Sequence, residues 1–68
     1  MTVNFRSRMF EEESTLRRRI GKLKEFILSE RYESLPEIDR KDLKEQLQHM
    51  EIYHAVLMRR VLRQCNSA

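Results

Sequence analysis

The sequence predicts an all-α protein built as an antiparallel hairpin of two helices. Three observations support this fold class. The 68 residues include one glycine and one proline, so few positions can interrupt a helix. Charged residues make up 37% of the chain, which is typical of solvated helix faces. Apolar residues recur at alternating spacings of four and three in two long segments, which is the period of an amphipathic helix.

The first helix is expected from about residue 5 to residue 30. Its apolar stripe has a gap at Glu12, where a carboxylate occupies a position that is otherwise apolar. Ser14 and Thr15 leave room for a break that would separate a short leading helix from the main one. Gly21 lies in the middle of the helix at a cost of about 1 kcal/mol relative to alanine, and it either permits a close helix crossing or is simply tolerated. The stripe consists of Phe5, Met9, Leu16, Ile20, Leu23 and Ile27.

A turn is expected over residues 31–35, followed by a second helix from about 36 to 63. Pro36 has no amide hydrogen and therefore fits the first turn of a new helix. Ser34 and Glu37 have the spacing of a capping box, which also favours a helix start here. A short connection makes the two helices pack antiparallel and bury their stripes against each other. The second stripe consists of Leu43, Leu47, Met50, His54, Leu57 and Val61.

Residues 1–68 are expected to form one domain that depends on association for its stability. Chains of fewer than roughly 70–80 residues bury little apolar surface and usually need disulfides, a metal or oligomerisation. Cys65 is the only cysteine, so no disulfide can form within the chain. His49 and His54 lie about 140° apart around a helix, which argues against a metal site. Oligomerisation remains, and the interface is predicted to use Phe10, Ile52, Val56, Met58 and Leu62, which lie off the two stripes.

Several classes of function are disfavoured by the residues present. We find no compelling Ser-His-Asp or Cys-His set and no glycine-rich loop that could hold a phosphate, so we expect no enzyme activity and no cofactor. Core packing is the favoured role for His54 and Tyr53. No stretch has the length of a membrane span and no signal-peptide pattern is present, so a soluble, intracellular protein without a membrane partner is expected.

The net charge is only +3, but its distribution is uneven: residues 1–30 hold seven basic and five acidic side chains, and the tail from residue 52 has Arg59, Arg60 and Arg63 with no acid. The two positive segments could together attract an anion. Consecutive arginines point in different directions around a helix, so they do not form a single patch. Arg8, Arg19 and Lys22 lie near one edge of the helix, whereas Arg17 and Lys24 lie near another. Guanidinium groups bind phosphate and stack on bases, and nearby aromatic rings offer the same flat surface. These residues therefore favour either a ligand with bases and phosphates or an ordinary solvated helix face.

The helix-packing positions form a pattern that extends over about residues 5–62. It comprises Arg8, Met9, Glu12, Leu16, Arg19, Lys22, Leu23, Phe26, Ile27, Leu35, Pro36, Asp39, Arg40, Leu43, Gln46, Leu47, Met50, Tyr53, Leu57 and Arg60. This pattern resembles a hairpin family of short phage proteins that includes anti-CBASS and anti-Thoeris sponges. The resemblance implies an all-helical homo-oligomer, often a hexamer, that binds signalling nucleotides in pockets between protomers and does not cleave them.

For this chain, the resemblance implies capture of a cyclic dinucleotide or trinucleotide, such as cGAMP, in the cytoplasm of the infected bacterial host. A sequestered signal cannot activate the effector of a CBASS-type defence system. In the family, an aromatic ring near the N-terminus and a basic side chain of the first helix hold the base. The nearest matches are Phe5 for the ring and Arg19 or Lys22 for the cation, and Arg8 completes the set of expected ligand contacts.

Two other interpretations of the sequence remain. The first is a helical protein–protein interaction module that binds a host or phage protein through Ile52, Val56 and Leu62. The second is a small nucleic-acid-binding protein. It is ranked last, and no DNA partner is expected, because no helix-turn-helix spacing is present and eleven acidic residues are interspersed with the basic ones.

Overall fold

A computed structural model of the protein describes the backbone of residues 5–66 and the side chains of residues 6–65. The described residues form three helices, which are α1 (Phe5–Ile27), α2 (Glu30–Glu33) and α3 (Glu37–Asn66). The all-α class predicted from the sequence is therefore confirmed.

The connection between the long helices differs from the predicted turn because it contains the short helix α2. Ser29 explains this difference. Its hydroxyl donates a hydrogen bond to the carbonyl of Phe26 (2.6 Å) and accepts one from the amide of Tyr32 (3.4 Å). The same side chain thus closes α1 and caps the start of α2. As a result, α1 ends at Ile27 rather than near residue 30.

Tyr32 anchors the connection to both long helices. Its side chain is buried, and its ring meets that of Phe26 edge to face with the centroids 6.2 Å apart. Its hydroxyl donates a hydrogen bond to the carbonyl of Arg40 in the first turn of α3 (3.0 Å). Tyr32 belongs to neither apolar stripe, so helical periodicity did not identify it as a core residue.

The start of α3 agrees with the role expected for Pro36 but not with the predicted capping box. The carbonyl of Pro36 accepts a hydrogen bond from the amide of Arg40 (3.1 Å), so proline directly precedes the helix. Ser34 instead donates its hydroxyl hydrogen to the carbonyl of Arg31 (2.7 Å) and terminates α2. The reason is the presence of α2, because Ser34 caps the C-terminal end of that helix and its side chain is therefore not available to cap α3.

α1 runs without interruption from Phe5 to Ile27, so the break considered at Ser14 and Thr15 does not occur. Gly21 is exposed, and a Cβ atom built at this position would meet nothing within 4 Å. Within the described chain, glycine therefore serves no close helix crossing.

α1 and α3 pack antiparallel along most of their length, as cross-helix contacts near both ends of α1 show. Near the start of α1, Arg6 donates to the side-chain oxygen of Gln64 (3.2 Å), and towards its end Lys24 pairs with Glu51 (3.1 Å). The core between the helices is a single thin layer. Its buried members are Met9, Ile20, Tyr32 and Leu57, while the other members of the two stripes with described side chains are half-buried.

The helix pair leaves large apolar side chains in water. Leu28 and Ile38 are 88% and 69% exposed, and Ile52 and Leu62 are 56% and 54% exposed. A small core together with this exposed surface is the pattern expected of a chain that gains stability by association. None of the described helices combines the length and apolar character needed to cross a bilayer.

Candidate functional site

The two long helices meet along two edges that differ in how their charged side chains are paired. On one edge, which we call the paired edge, carboxylates contact His54, Arg17 and Lys24. His54 and Glu13 are joined by a 2.9 Å contact, and the guanidinium of Arg17 lies 3.7 Å from the same carboxylate oxygen. The ion pair between Lys24 and Glu51 lies further along this edge. The side-chain charges named here are thus largely satisfied within the chain.

The other edge carries a groove that we call the arginine groove, defined by Arg8, Glu12, Arg19, Tyr53 and Arg60. It consists of two adjoining clefts between α1 and α3. The first, of about 260 Å³, is lined by Glu11, Glu12, Thr15, Leu16, Arg19 and Tyr53. The second, of about 240 Å³, is lined by Arg8, Met9, Glu12 and Arg60. Glu12 lines both clefts and therefore forms the boundary between them.

Helix geometry explains why these residues share an edge. Arg8, Glu12 and Arg19 are separated by four and seven residues, which returns the chain to nearly the same side of α1. Tyr53 and Arg60 are seven residues apart on α3, and antiparallel packing brings them opposite Glu12 and Arg8. The groove is therefore assembled from two regularly spaced rows, one on each helix.

Glu12 and Tyr53 make a direct contact across the groove. The tyrosine hydroxyl donates a hydrogen bond to the Oε1 atom of Glu12. The gap that Glu12 leaves in the apolar stripe is thus occupied by a carboxylate held by a partner on α3. Tyr53 is 41% exposed, so part of its side chain remains available to a ligand. This differs from the core role favoured for Tyr53 by the sequence.

Two arginines of the groove, Arg8 and Arg19, differ from the cations of the paired edge. Within the described part of the chain, neither Arg8 nor Arg19 has an ion pair or a side-chain hydrogen bond, and both are exposed. Arg17, two residues before Arg19, lies about 200° away around the helix and is held by Glu13. Uncommitted guanidinium groups can bind an anion without first breaking an internal ion pair.

The four expected ligand contacts fall into three groups. Arg8 and Arg19 both line the groove. Lys22 is exposed and lies one turn beyond Arg19, but it lines neither cleft. The side chain of Phe5 lies outside the described residues. The groove thus contains two of the four and places an aromatic residue, Tyr53, where the sequence interpretation used Phe5.

Sequence reasoning missed the contribution of α3 to this site. Tyr53 and Arg60 belong to the helix-packing pattern, and neither is among the four ligand contacts predicted from the sequence. Two signals were present in the sequence. The carboxylate of Glu12 interrupts an apolar stripe, and the seven-residue spacing of Tyr53 and Arg60 matches that of Glu12 and Arg19.

The residues expected to mediate self-association are mostly accessible in the single chain. Phe10 and Val56 are 39% and 38% exposed, Ile52 and Leu62 are more than half exposed, and Met58 is half-buried. Ile52 and Val56 lie on the face of α3 that points away from α1. A second copy or another partner could therefore reach them without disturbing the core.

No group of three or more His, Cys, Asp or Glu side chains in the described part could hold a metal ion. Neither a curated protein nor a solved structure matches the chain. A family model described as Sequestin matches residues 4–63. This range includes both long helices up to Arg63 and every residue of the arginine groove.

Proposed function

Because the chain belongs to the Sequestin family, we propose that it binds and sequesters a cyclic dinucleotide or trinucleotide signal, such as cGAMP, without cleaving it. The family name supports a sequestering role. The phage-sponge resemblance of the sequence supports the choice of a nucleotide. Held in the cytoplasm of an infected bacterium, the signal would be withdrawn from the effector of a CBASS-type defence system.

One structural observation carries this proposal: two uncommitted arginines lie in the same groove as an exposed tyrosine. Arg8 and Arg19 can each bind a phosphate in a bidentate manner. The ring of Tyr53 can stack on a base, and stacking depends little on base identity. These are the two interactions that a compact dianion with flat bases requires.

A single chain offers too little concavity to enclose such a ligand. The two clefts, of about 260 and 240 Å³, are open to solvent along the groove, so neither surrounds a ligand on all sides. We therefore propose that a second copy covers the ligand and contributes a matching groove. A symmetric pair of grooves would suit a ligand whose two halves are alike.

The proposed assembly is a homo-oligomer, and a hexamer follows from the family resemblance. Its interface would use the apolar residues that the single chain leaves accessible, which are Phe10, Ile52, Val56, Met58 and Leu62. Burying them stabilises the small core, since roughly 25 cal/mol is gained per Å² of apolar surface removed from water. Folding and ligand capture would then depend on the same association.

Sequestration requires tight binding and slow release rather than catalysis. In this proposal the arginines supply electrostatic attraction and the tyrosine supplies a stacking surface. No proton transfer or nucleophilic attack is required. The ligand should therefore be recovered chemically unchanged, at a stoichiometry set by the number of grooves.

A thermal-shift screen of the purified protein tests the proposal. The panel contains cyclic dinucleotides, cyclic trinucleotides and cyclic ADP-ribose isomers, because binding to the folded state raises the apparent melting temperature by mass action. We expect a large shift with one cyclic di- or trinucleotide, and chromatography of the heat-denatured complex should return the compound intact. A shift confined to cyclic ADP-ribose isomers would contradict the choice of ligand. Recovery of a linear or hydrolysed product would contradict sequestration.

The exposed apolar face of α3 also supports a second candidate function, a module that binds another protein. Ile52, Val56 and Leu62 would then contact a host or phage protein. Light scattering of the purified chain distinguishes the two candidates. A stable homo-oligomer that responds to nucleotides favours sequestration. A monomer that responds to no nucleotide and forms a stoichiometric complex with one defined protein favours the module.

A further inference from the structure

Glu12 is an unexpected residue at the centre of a groove that is proposed to bind phosphates. Its carboxylate lines both clefts, with Arg8 and Arg60 on one side and Arg19 on the other. A negative charge at this place repels phosphate groups that come close to it. Glu12 also occupies a position in the apolar stripe of α1, where an apolar side chain would pack better. The hydrogen bond from Tyr53 joins this carboxylate to α3, but simple anion capture does not explain a negative charge here.

The charges along the groove follow the order cation, carboxylate, cation. Glu12 is four residues from Arg8 and seven from Arg19, which correspond to about 6 Å and 10 Å along the helix axis. Long arginine side chains can bridge part of these distances. A ligand that lies along the groove would thus meet a site for one anionic group, then a hydrogen-bond acceptor, then a site for a second anionic group.

We propose that Glu12 is a specificity-determining residue that accepts a hydrogen bond from a ribose hydroxyl placed between two phosphates of the ligand. The proposal rests on the proposed function, because it assumes that the arginine groove binds a nucleotide. In a cyclic dinucleotide with 3′,5′ linkages, each ribose lies between two phosphates and carries one 2′-hydroxyl. That order of groups, anion, donor, anion, is complementary to the order in the groove.

Tyr53 orients the carboxylate of Glu12 for this hydrogen bond. Its hydroxyl donates to one oxygen of Glu12 and so limits the orientations available to the side chain. An ionised carboxylate has about four acceptor positions, so the bond from Tyr53 leaves capacity for a ligand hydroxyl. Glu12 is exposed in the single chain, and a ligand in the groove can therefore reach it.

A fixed carboxylate also lowers the affinity for anions that lack a ribose hydroxyl. A sulfate ion or a 2′-deoxynucleotide offers no hydroxyl hydrogen at this place, so it meets the repulsion without the compensating hydrogen bond. Unpaired polar groups in a binding site are a strong source of discrimination. Glu12 would thus lower the affinity for abundant simple anions and retain affinity for ribonucleotide signals.

The test measures dissociation constants by calorimetry for the cyclic ribodinucleotide 3′,5′-cyclic di-GMP and for its bis-2′-deoxy analogue. We expect the unsubstituted protein to bind the ribo form about 10- to 100-fold more tightly, as hydrogen bonds to charged groups typically contribute. Glu12→Ala should bring this ratio close to one. Glu12→Gln, which keeps an acceptor for Tyr53 but not the charge, should give an intermediate ratio. The control, Glu25→Ala, removes the same charge from an exposed position of α1 and should leave the ratio unchanged.

Other outcomes separate this inference from the proposed function. If the ribo form and the deoxy analogue bind equally well, or if Glu12→Ala keeps the full preference, Glu12 does not read the hydroxyl. Cyclic di-IMP, which lacks the amino group of guanine, tests whether the donor is on the base. A Glu12-dependent preference for guanine over hypoxanthine, with no dependence on the 2′-hydroxyl, would overturn the ribose assignment. If no nucleotide in the thermal-shift panel binds, the proposed function fails and this inference fails with it.

Discussion

Three consecutive arginines in α1 allow the arginine groove to be tested with closely matched substitutions. Arg17 belongs to the paired edge and lies 3.7 Å from Glu13. Arg18 lies on the outer face of α1, beside Phe10, away from α3. Arg19 lines the groove. Replacing each arginine with alanine removes the same charge and the same side-chain atoms. A difference in ligand affinity between the variants is therefore due to the position of the arginine.

The expected changes in ligand affinity and in stability differ between the three substitutions. A bidentate contact between Arg19 and a phosphate should contribute about 1.5–3 kcal/mol, so Arg19→Ala should weaken binding about 10- to 100-fold. Arg17 is 67% exposed, and its ion pair with Glu13 is long, so Arg17→Ala should cost at most about 0.5 kcal/mol of stability. Arg18→Ala should change stability by no more than about 0.5 kcal/mol and affinity by less than about threefold.

The assay is calorimetric titration of each variant with the nucleotide that the thermal-shift screen identifies. Urea unfolding and light scattering are run in parallel to separate loss of binding from loss of fold or assembly. Equal weakening by Arg17→Ala, Arg18→Ala and Arg19→Ala, with the oligomer intact in all three, would show that only the overall positive charge matters, and the groove would not be the site. Loss of the oligomer in Arg19→Ala alone would assign this residue to an interface.

Three further substitutions test the fold and the assembly. Gly21→Ala should stabilise the chain by about 1 kcal/mol in urea unfolding, because the added methyl group meets nothing within 4 Å. Dissociation of the oligomer in this variant would place Gly21 at a contact between copies. Tyr32→Phe removes the donor to the carbonyl of Arg40 and should cost about 1 kcal/mol, and unchanged stability would contradict an anchoring role. Ile52→Glu should shift the light-scattering mass towards the monomer at wild-type helicity, since this side chain is 56% exposed in the single chain. An unchanged mass would exclude Ile52 from the interface.

The helices could be predicted from the sequence because the signals that specify them lie within each helix or at its ends. Two stripes with spacings of four and three specify amphipathic helices, and Pro36 marks the start of the last one. The stripe positions Met9, Ile20 and Leu57 are buried, as this pattern indicates. Fine structure at the connection could not be predicted in the same way. Ser29 can act as a cap or as a helix residue, and only its contacts with neighbouring backbone groups decide between them.

Only the α1 residues of the candidate site could be predicted from the sequence. A groove between two helices also depends on their register, which is the axial alignment of one helix against the other. Periodicity within α1 places Arg8 and Arg19 on one edge. It does not say which residues of α3 face them, because a shift by one helical turn would bring different side chains opposite Glu12. Register is decided by the packing of the core and by the length of the connection, where α2 and Tyr32 lie. Tyr53 and Arg60 could therefore be assigned to the groove only with the structure.

Stability and ligand binding favour different side chains at position 12 of this chain. The core has few fully buried side chains, and every apolar position in the stripes matters for stability. Glu12 nevertheless places a carboxylate within the stripe of α1, where it contacts Tyr53 instead of adding apolar area. A chain this small can tolerate such a position only if stability comes from elsewhere, and the accessible apolar side chains of α3 offer that source through association. The residue that replaces apolar area in the helix pair is thus the one that divides the groove, and association between copies would add apolar contacts while completing the site.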